Sequence, residues 1–212
     1  VRIANSCVVE EGRLVEVKLP TNFLAKMQVL EYIRAFLLGR MAWSKLNGLL
    51  LISGAFGLFR RDIAVQSGGY DPKTVGEDME LVVRMRCHMH DNKLPYRVAY
   101  IPDPLCWTEA PSTNAVLGRQ RNRWARGTFE TLRMHKKLLF NPKYGLMGMV
   151  SYPFWLVYEW ASPMIESTGL LFFLVLVVLG KVNWLFFFSL MLAIYCFAFF
   201  LSMFALLTEE LS

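Results

Sequence analysis

Cysteine is scarce in this 212-residue chain, and charge nearly vanishes from its last third. The four cysteines (Cys7, Cys87, Cys106 and Cys196) lie far apart and form no C-x-x-C pair. That leaves no recognisable disulfide framework and fits a reducing compartment. No internal repeat or low-complexity tract occurs, which excludes a repeat array. No signal peptide is expected to lead into the fold. The chain opens mid-pattern on VRIANSCVVEEGRLVEVKLP and stops just after a hydrophobic run, so it is expected to be a fragment cut at both ends.

Charge is divided unevenly between the two parts of the chain. Residues 1–145 hold 22 of the 23 Lys and Arg and 13 of the 17 Asp and Glu, a net +9, whereas residues 146–212 hold one Lys and four Glu. The first part reads as a water-facing α/β segment. Val182 to Thr208 is an uncharged run of 27 residues, and a membrane span takes roughly 20. Gly169 to Gly180 is apolar but too short to span alone, so an earlier span must reach back through Glu166, Pro163 and Glu159 and is expected to be kinked or interfacial. Carboxylates inside a span are expected to face protein or water. Eight Lys and Arg lie between Arg119 and Lys143, against Lys181 alone between the spans. By the positive-inside tendency the α/β part is expected on the cytoplasmic side.

Local patterns give a coarse element order. CVVEEGRLVEV suggests a hairpin about Glu-Gly. Asn22 to Gly39 carries an apolar helical stripe (Phe23, Met27, Leu30, Ile33, Leu37), with Gly39 as its stop. GLLLISGAFGLFRRD reads as a buried strand broken by small residues, followed by the turn cluster SGGYDP. A helix is expected from about Val75 to His90, a strand over Tyr96 to Asp103, and a long helix from Arg119 to Phe140 that Asn141-Pro142 ends.

Within TVGEDMELVVRMR, Thr74 and Glu77 have capping-box spacing, and Glu80 suits the first turn of a helix whose dipole favours acids. Asp78 is not needed for the box. A carboxylate where a loop meets a helix can act as a general base toward an incoming hydroxyl. In GRQRNRWARGTFE, Gln120, Arg123 and Trp124 stand at i, i+3 and i+4 and share a helical face. Together they offer a flat apolar surface, a phosphate-matched fork and an amide, enough for a sugar and a diphosphate. The same face also suits an interfacial helix with Trp at headgroup depth. SGAFG (Ser53 to Gly57) admits a ligand close to backbone, or is simply a bent strand. CHMHD (Cys87 to Asp91) is either a metal cluster or a pair of histidines favoured at a helix end.

The order SGAFGLFRRD, GGYD, GEDMEL, WTEAP, QRNRW and then spans resembles the membrane-embedded family 2 glycosyltransferases, the group containing the cellulose, hyaluronan and poly-N-acetylglucosamine synthases. The resemblance covers essentially the whole chain. It implies the C-terminal half of a GT-A (Rossmann-like) domain over residues 1–117, an amphipathic interfacial helix over 118–145 and a transmembrane region over 146–212. It also implies an inverting transfer from a nucleotide-sugar, usually a UDP-sugar, to a polysaccharide or glycolipid acceptor at the bilayer of the cell (inner) membrane.

By the same resemblance Asp78 matches the catalytic base. Glu77 beside it, Gln120, Arg123, Trp124, and more loosely Phe56 and Gly57, match substrate-binding positions. Mg²⁺ or Mn²⁺ is implied, with its D-x-D ligands N-terminal to this sequence, because PDP at Pro102 to Pro104 has the wrong spacing and position. Arg119, Arg121, Arg126, Arg133 and Lys136 are then left to hold the helix against anionic headgroups. A membrane-anchored, non-catalytic binding or regulatory subunit is the alternative. A nucleic-acid binder would give no reason for the adjoining spans and is set aside.

Overall fold

In the computed structural model, residues 2–52, 54–103 and 106–210 are described. Ser53 of the SGAFG loop and Pro104 of the Pro102–Pro104 triplet lie outside them. The chain opens with β1 (Arg2–Ile3), β2 (Val8–Glu10) and β3 (Arg13–Glu16). β2 and β3 pair antiparallel across Glu11 and Gly12, whose φ angles are 49° and 76°, giving the expected hairpin.

α1 (Phe23–Tyr32) begins at Asn22, whose side-chain oxygen accepts from the Ala25 N–H at 3.1 Å. The expected stop at Gly39 is not made. The helix widens into a π-helical stretch over Ile33–Gly39 and continues as α2 (Arg40–Lys45), with Gly39 helical at φ −61°. Glycine ends a helix where the chain turns left-handed. Here the turn comes later, at Asn47 (φ 48°).

α3 (Arg61–Gln66) and α4 (Glu77–Asp91) follow, and β4 (Trp107–Thr108) runs parallel to β1. The two strands expected around Leu49–Leu51 and Tyr96–Asp103 do not form ladders among the described residues. Side chains satisfy their backbone instead. Buried Arg86 donates to the carbonyls of Asn47 and Leu49. Asn47 Oδ1 accepts from the Val98 N–H at 3.2 Å, and Ser44 Oγ accepts from the Tyr100 N–H at 2.9 Å. The two expected strands are therefore not borne out among the described residues.

α5 (Asn114–Met134) starts five residues earlier than expected, at Thr113, whose hydroxyl accepts from the Val116 N–H at 3.4 Å. It ends at Met134, before a 3₁₀ turn over Lys136–Leu138, so Asn141-Pro142 opens a further turn and does not end the helix. α6 (Tyr152–Phe154) lies between π-helical stretches over Met147–Ser151 and Trp155–Trp160. α7 (Ser162–Val178) and α8 (Trp184–Glu210) complete the chain.

Trp184–Thr208 within α8 is long and apolar enough to cross a membrane. Met147–Trp160 and α7 meet that test only together, bent by 54° at Ala161. This matches the kink expected from the carboxylates and Pro163. The far end of α8 returns to the water-facing part, where Ala205, fully buried, packs with Ile33 and Leu37.

The main core gathers Met79, Val83 and Cys87 of α4, Leu132 of α5, Leu49 and Leu50, and the aromatic segment around Tyr152 and Trp155. Tyr152 donates to the Leu132 carbonyl at 2.6 Å, which ties the membrane-side helices to α5. α4 and α5 meet at two glycines. A Cβ on Gly76 would lie 2.8 Å from the backbone of Gly127, and one on Gly127 would lie 2.8 Å from Gly76 Cα. Glu130 secures the crossing by accepting from Thr74 Oγ1 at 3.0 Å and from the Val75 N–H at 3.1 Å. Thr74 is thus engaged with α5 and forms no capping box with Glu77; Gly76 is the N-cap of α4.

Gly127→Ala forces backbone apart at this crossing and is expected to cost about 1–3 kcal/mol of stability. Gly118→Ala, on the same helix, meets nothing within 4 Å and should stabilise by about 0.5–1 kcal/mol. Thermal denaturation of the two variants in detergent checks the opposite signs.

Candidate active site

Asp78 sits in the first turn of α4, with Oδ1 accepting from the Met79 N–H at 2.8 Å. Gly54 lies against its other oxygen: a Cβ there would be 2.9 Å from Oδ2. The carboxylate opens into a hollow of about 300 Å³ lined by Ile52, Gly54, Gly57, Phe59, Tyr70 and Glu77. A second cavity of about 550 Å³ shares Ile52, Gly57 and Phe59 with it and adds Phe56 and Arg40. The structure therefore brings Glu77, Asp78 and Gly57 to one hollow and sets Phe56 in its neighbour.

Burial pushes the Asp78 carboxyl above the usual carboxylate range, and the nearby Glu77 charge adds to this. The Met79 N–H and the Arg40 charge pull the other way without reversing it. A carboxylate raised in this manner binds a proton more readily than an exposed one, which is the requirement of a general base.

On α5, Gln120, Arg123, Trp124 and Gly127 share a helical face, of which Gly127 meets the residues before α4. Gln120 Oε1 is buried and has no hydrogen-bond partner among the described residues. Trp124 packs on Phe36, ring centroids 6.5 Å apart. Arg123 is exposed. Two neighbours correct the sequence reading. Arg121 lies over the Trp124 ring at 4.6 Å and pairs with Glu31 at 2.5 Å, and Arg126 pairs with Glu130 at 2.8 Å. Neither is free to serve as a headgroup anchor in the way expected.

Residues that the motifs did not reveal support this arrangement. Glu80, 3% exposed, accepts from Arg84 at 2.7 Å and meets His135 Nε2 at 3.1 Å, a second tie between α4 and the end of α5. Arg84 also donates to the carbonyls of Ser67 and Gly69, holding the turn that presents Tyr70 to the hollow. Burial alone would raise the Glu80 carboxyl, but bonds from His135 and Arg84 bring it down to about 2. Only the i,i+4 relation of Glu80 and Arg84 could have been read from spacing. Gly54 had been visible merely as one small residue among several.

Among the described residues no group of three or more His, Cys, Asp or Glu could hold a metal ion. His88 and His90 stand in the last turn of α4, where its dipole favours them, and His90 packs on Tyr144 with ring centroids 5.1 Å apart.

With this geometry in hand, similarity to known proteins is informative. The model of glycosyl transferase family group 2 matches residues 15–206, and the chain belongs to that family. It is 32% identical over 112 residues to a poly-beta-1,6-N-acetyl-D-glucosamine synthase of Staphylococcus epidermidis, covering 53% of this chain and 26% of that protein. It is 36% identical over 114 residues, with the same coverage, to the synthase of that name from Staphylococcus aureus strain COL. The chain thus spans about a quarter of the length of the curated relatives it matches. No solved structure matches it.

Glu80→Gln keeps the shape and removes the charge, and is expected to cost about 1.5–3 kcal/mol at pH 7. Because its folded pKa is depressed, the stabilising contribution is present above about 4.5 and lost as pH falls toward about 2. Denaturation curves of wild type and Glu80→Gln should therefore converge on acidification through that window.

Proposed function

We propose that this chain carries the acceptor side of a GT-A type, inverting glycosyltransferase that builds a polysaccharide or glycolipid at the cytoplasmic face of the cell membrane. What supports this reading is the raised, half-enclosed Asp78 carboxylate beside Gly54, with the glycine crossing joining its turn to the helix that carries Gln120, Arg123 and Trp124. Asp78 takes the proton of an acceptor hydroxyl. The hydroxyl oxygen attacks the anomeric carbon of a nucleotide-sugar, and the bond from that carbon to the diphosphate breaks on the opposite face, so configuration inverts. Arg123 offers its fork to the diphosphate, Trp124 a stacking surface to the sugar, and Gln120 its unpartnered carbonyl oxygen to a hydroxyl.

Family 2 enzymes are generally dependent on a divalent metal. The described residues do not offer a donor set for one, so Mg²⁺ or Mn²⁺ on D-x-D ligands outside this chain belongs to the proposal. So do the division into a catalytic part (1–117), an interfacial helix (118–145) and a membrane part (146–212). A poly-N-acetylglucosamine product follows the names of the relatives. Arg119, Arg133 and Lys136 remain the cations proposed to face anionic lipid, each worth about 1 kcal/mol near the surface.

Asp78→Asn in the native-length protein is expected to reduce turnover by about 10²–10⁴-fold, whereas Arg133→Ala should leave turnover in detergent near wild type. The wild-type rate should fall on acidification at a pH above the ordinary Asp value of 3.8, since burial raises this carboxyl. Equal turnover of wild type and Asp78→Asn in a radiolabelled-sugar transfer assay would favour the non-catalytic subunit instead.

A further inference from the structure

The 550 Å³ cavity beside the Asp78 hollow contains a charge with no bonded partner. Arg40, the first residue of α2, is 8% exposed and lines this cavity. Among the described residues its guanidinium makes no hydrogen bond and no ion pair. Its close contact is the ring of Phe36, 4.0 Å from Cζ to the centroid, which satisfies one face of the guanidinium but none of its N–H donors. Burial lowers its pKa below the ordinary arginine value, while Tyr100, Asp78, Glu159 and Tyr32 support the charge from a distance.

The other deeply buried charges in the water-facing part are answered directly. Arg86, 2% exposed, donates to two backbone carbonyls, and Glu80, 3% exposed, is bonded to Arg84 and His135. An arginine stays ionised under such conditions, and a buried ion without a counter-ion is strongly unfavourable. Arg40 is therefore placed to receive an anion from outside the described chain.

The remaining walls narrow its chemistry. Phe56, Phe59, Met85 and Val98 make the cavity largely apolar and partly aromatic, and its charged lining is four arginines against Asp103. Arg60 is taken by Asp62 at 2.5 Å, and Arg86 by carbonyls, which leaves Arg40 inside and the exposed Arg97 to act on a ligand. Two cations suit a group able to carry more than one negative charge, and the guanidinium fork matches tetrahedral phosphate oxygens in a two-point contact.

We infer that this cavity is an anion-binding site in which Arg40 grips a phosphate ester, the organic portion of the ester lying against the apolar walls. The phosphate can come from a nucleotide or from a lipid headgroup. The cavity shares Phe56 and Gly57 with the transferase reading, but the inference is tested separately from it, because binding is measured without turnover.

The test is calorimetric titration of the native-length protein in detergent with uridine monophosphate and with dihexanoyl phosphatidic acid, each beside its neutral counterpart, uridine or dihexanoylglycerol. One ester should bind, with its neutral counterpart and the Arg40→Met variant each weaker by about 30-fold or more. Arg40→Lys, which keeps the charge and loses the fork, should fall between wild type and Arg40→Met. Whichever ester shows the Arg40 dependence identifies the source. Ligand-free Arg40→Met should melt at or above the wild-type temperature, because an unanswered buried charge has been removed. Binding unchanged in Arg40→Met, no binding of either ester, or a clear drop in the ligand-free melting temperature of Arg40→Met would each overturn the site.

Discussion

Two glycines far apart in sequence, Gly76 and Gly127, allow the start of α4 and the middle of α5 to touch backbone to backbone. Any side chain at either position would hold the helices apart by the width of a methyl group. Gly127 lies three residues after Trp124 and four after Arg123, and Gly76 two before Asp78, so the crossing joins the helix that carries QRNRW to the turn that carries Asp78. Thr74 and Glu130 on one side of it, and Glu80 and His135 on the other, keep the helices from sliding or rotating. The segment Met147–Trp160 enters the same arrangement through Tyr152 and through Phe129 stacked on Trp160 at 4.9 Å. The Asp78 carboxylate, α5 and the aromatic segment around Tyr152 and Trp160 are thereby tied to one another.

Two carboxylates two residues apart take opposite electrostatic characters within it. Glu80 points into a polar nest of Arg84 and His135 and is held ionised to about 2. Asp78 points into a hollow whose walls strip water without supplying a bonded cation, and its pKa rises. Environments that separate neighbouring acids in this way distinguish a structural charge from one able to exchange a proton. Tyr70 and Gly54, brought to the hollow by the Arg84-held turn and by the absence of a side chain, shape the space around that exchange.

Helix positions were largely legible in the sequence, because the apolar stripe of α1, the acidic first turn of α4 and the span-length run of α8 are local signals. Helix ends were less so. Gly39 reads as a stop from composition, yet the buried Ile33 and Leu37 packing on Ala205 carries the helix on. The Thr74–Glu77 box failed because Glu130, more than fifty residues away, took the threonine. The same long-range competition took Arg121 to Glu31, which no spacing rule could assign, whereas the Arg126–Glu130 pair is an i,i+4 relation open to a reading of the spacing. Within the site, the motif residues stood out by type, whereas Arg40, Glu80 and His135 owe their roles to burial and the exposed Gly54 to its contact with Asp78, and both are properties of the folded chain.

The most direct measurement is a cryo-electron microscopy structure of the native-length protein in lipid nanodiscs with a non-transferable nucleotide-sugar and an acceptor oligosaccharide. The account predicts an acceptor hydroxyl within hydrogen-bonding reach of Asp78, with the bound molecules also touching Arg123 and Trp124 across the Gly76–Gly127 contact. Substrates seated on only one of the two helices, with Asp78 facing away from them, would contradict it.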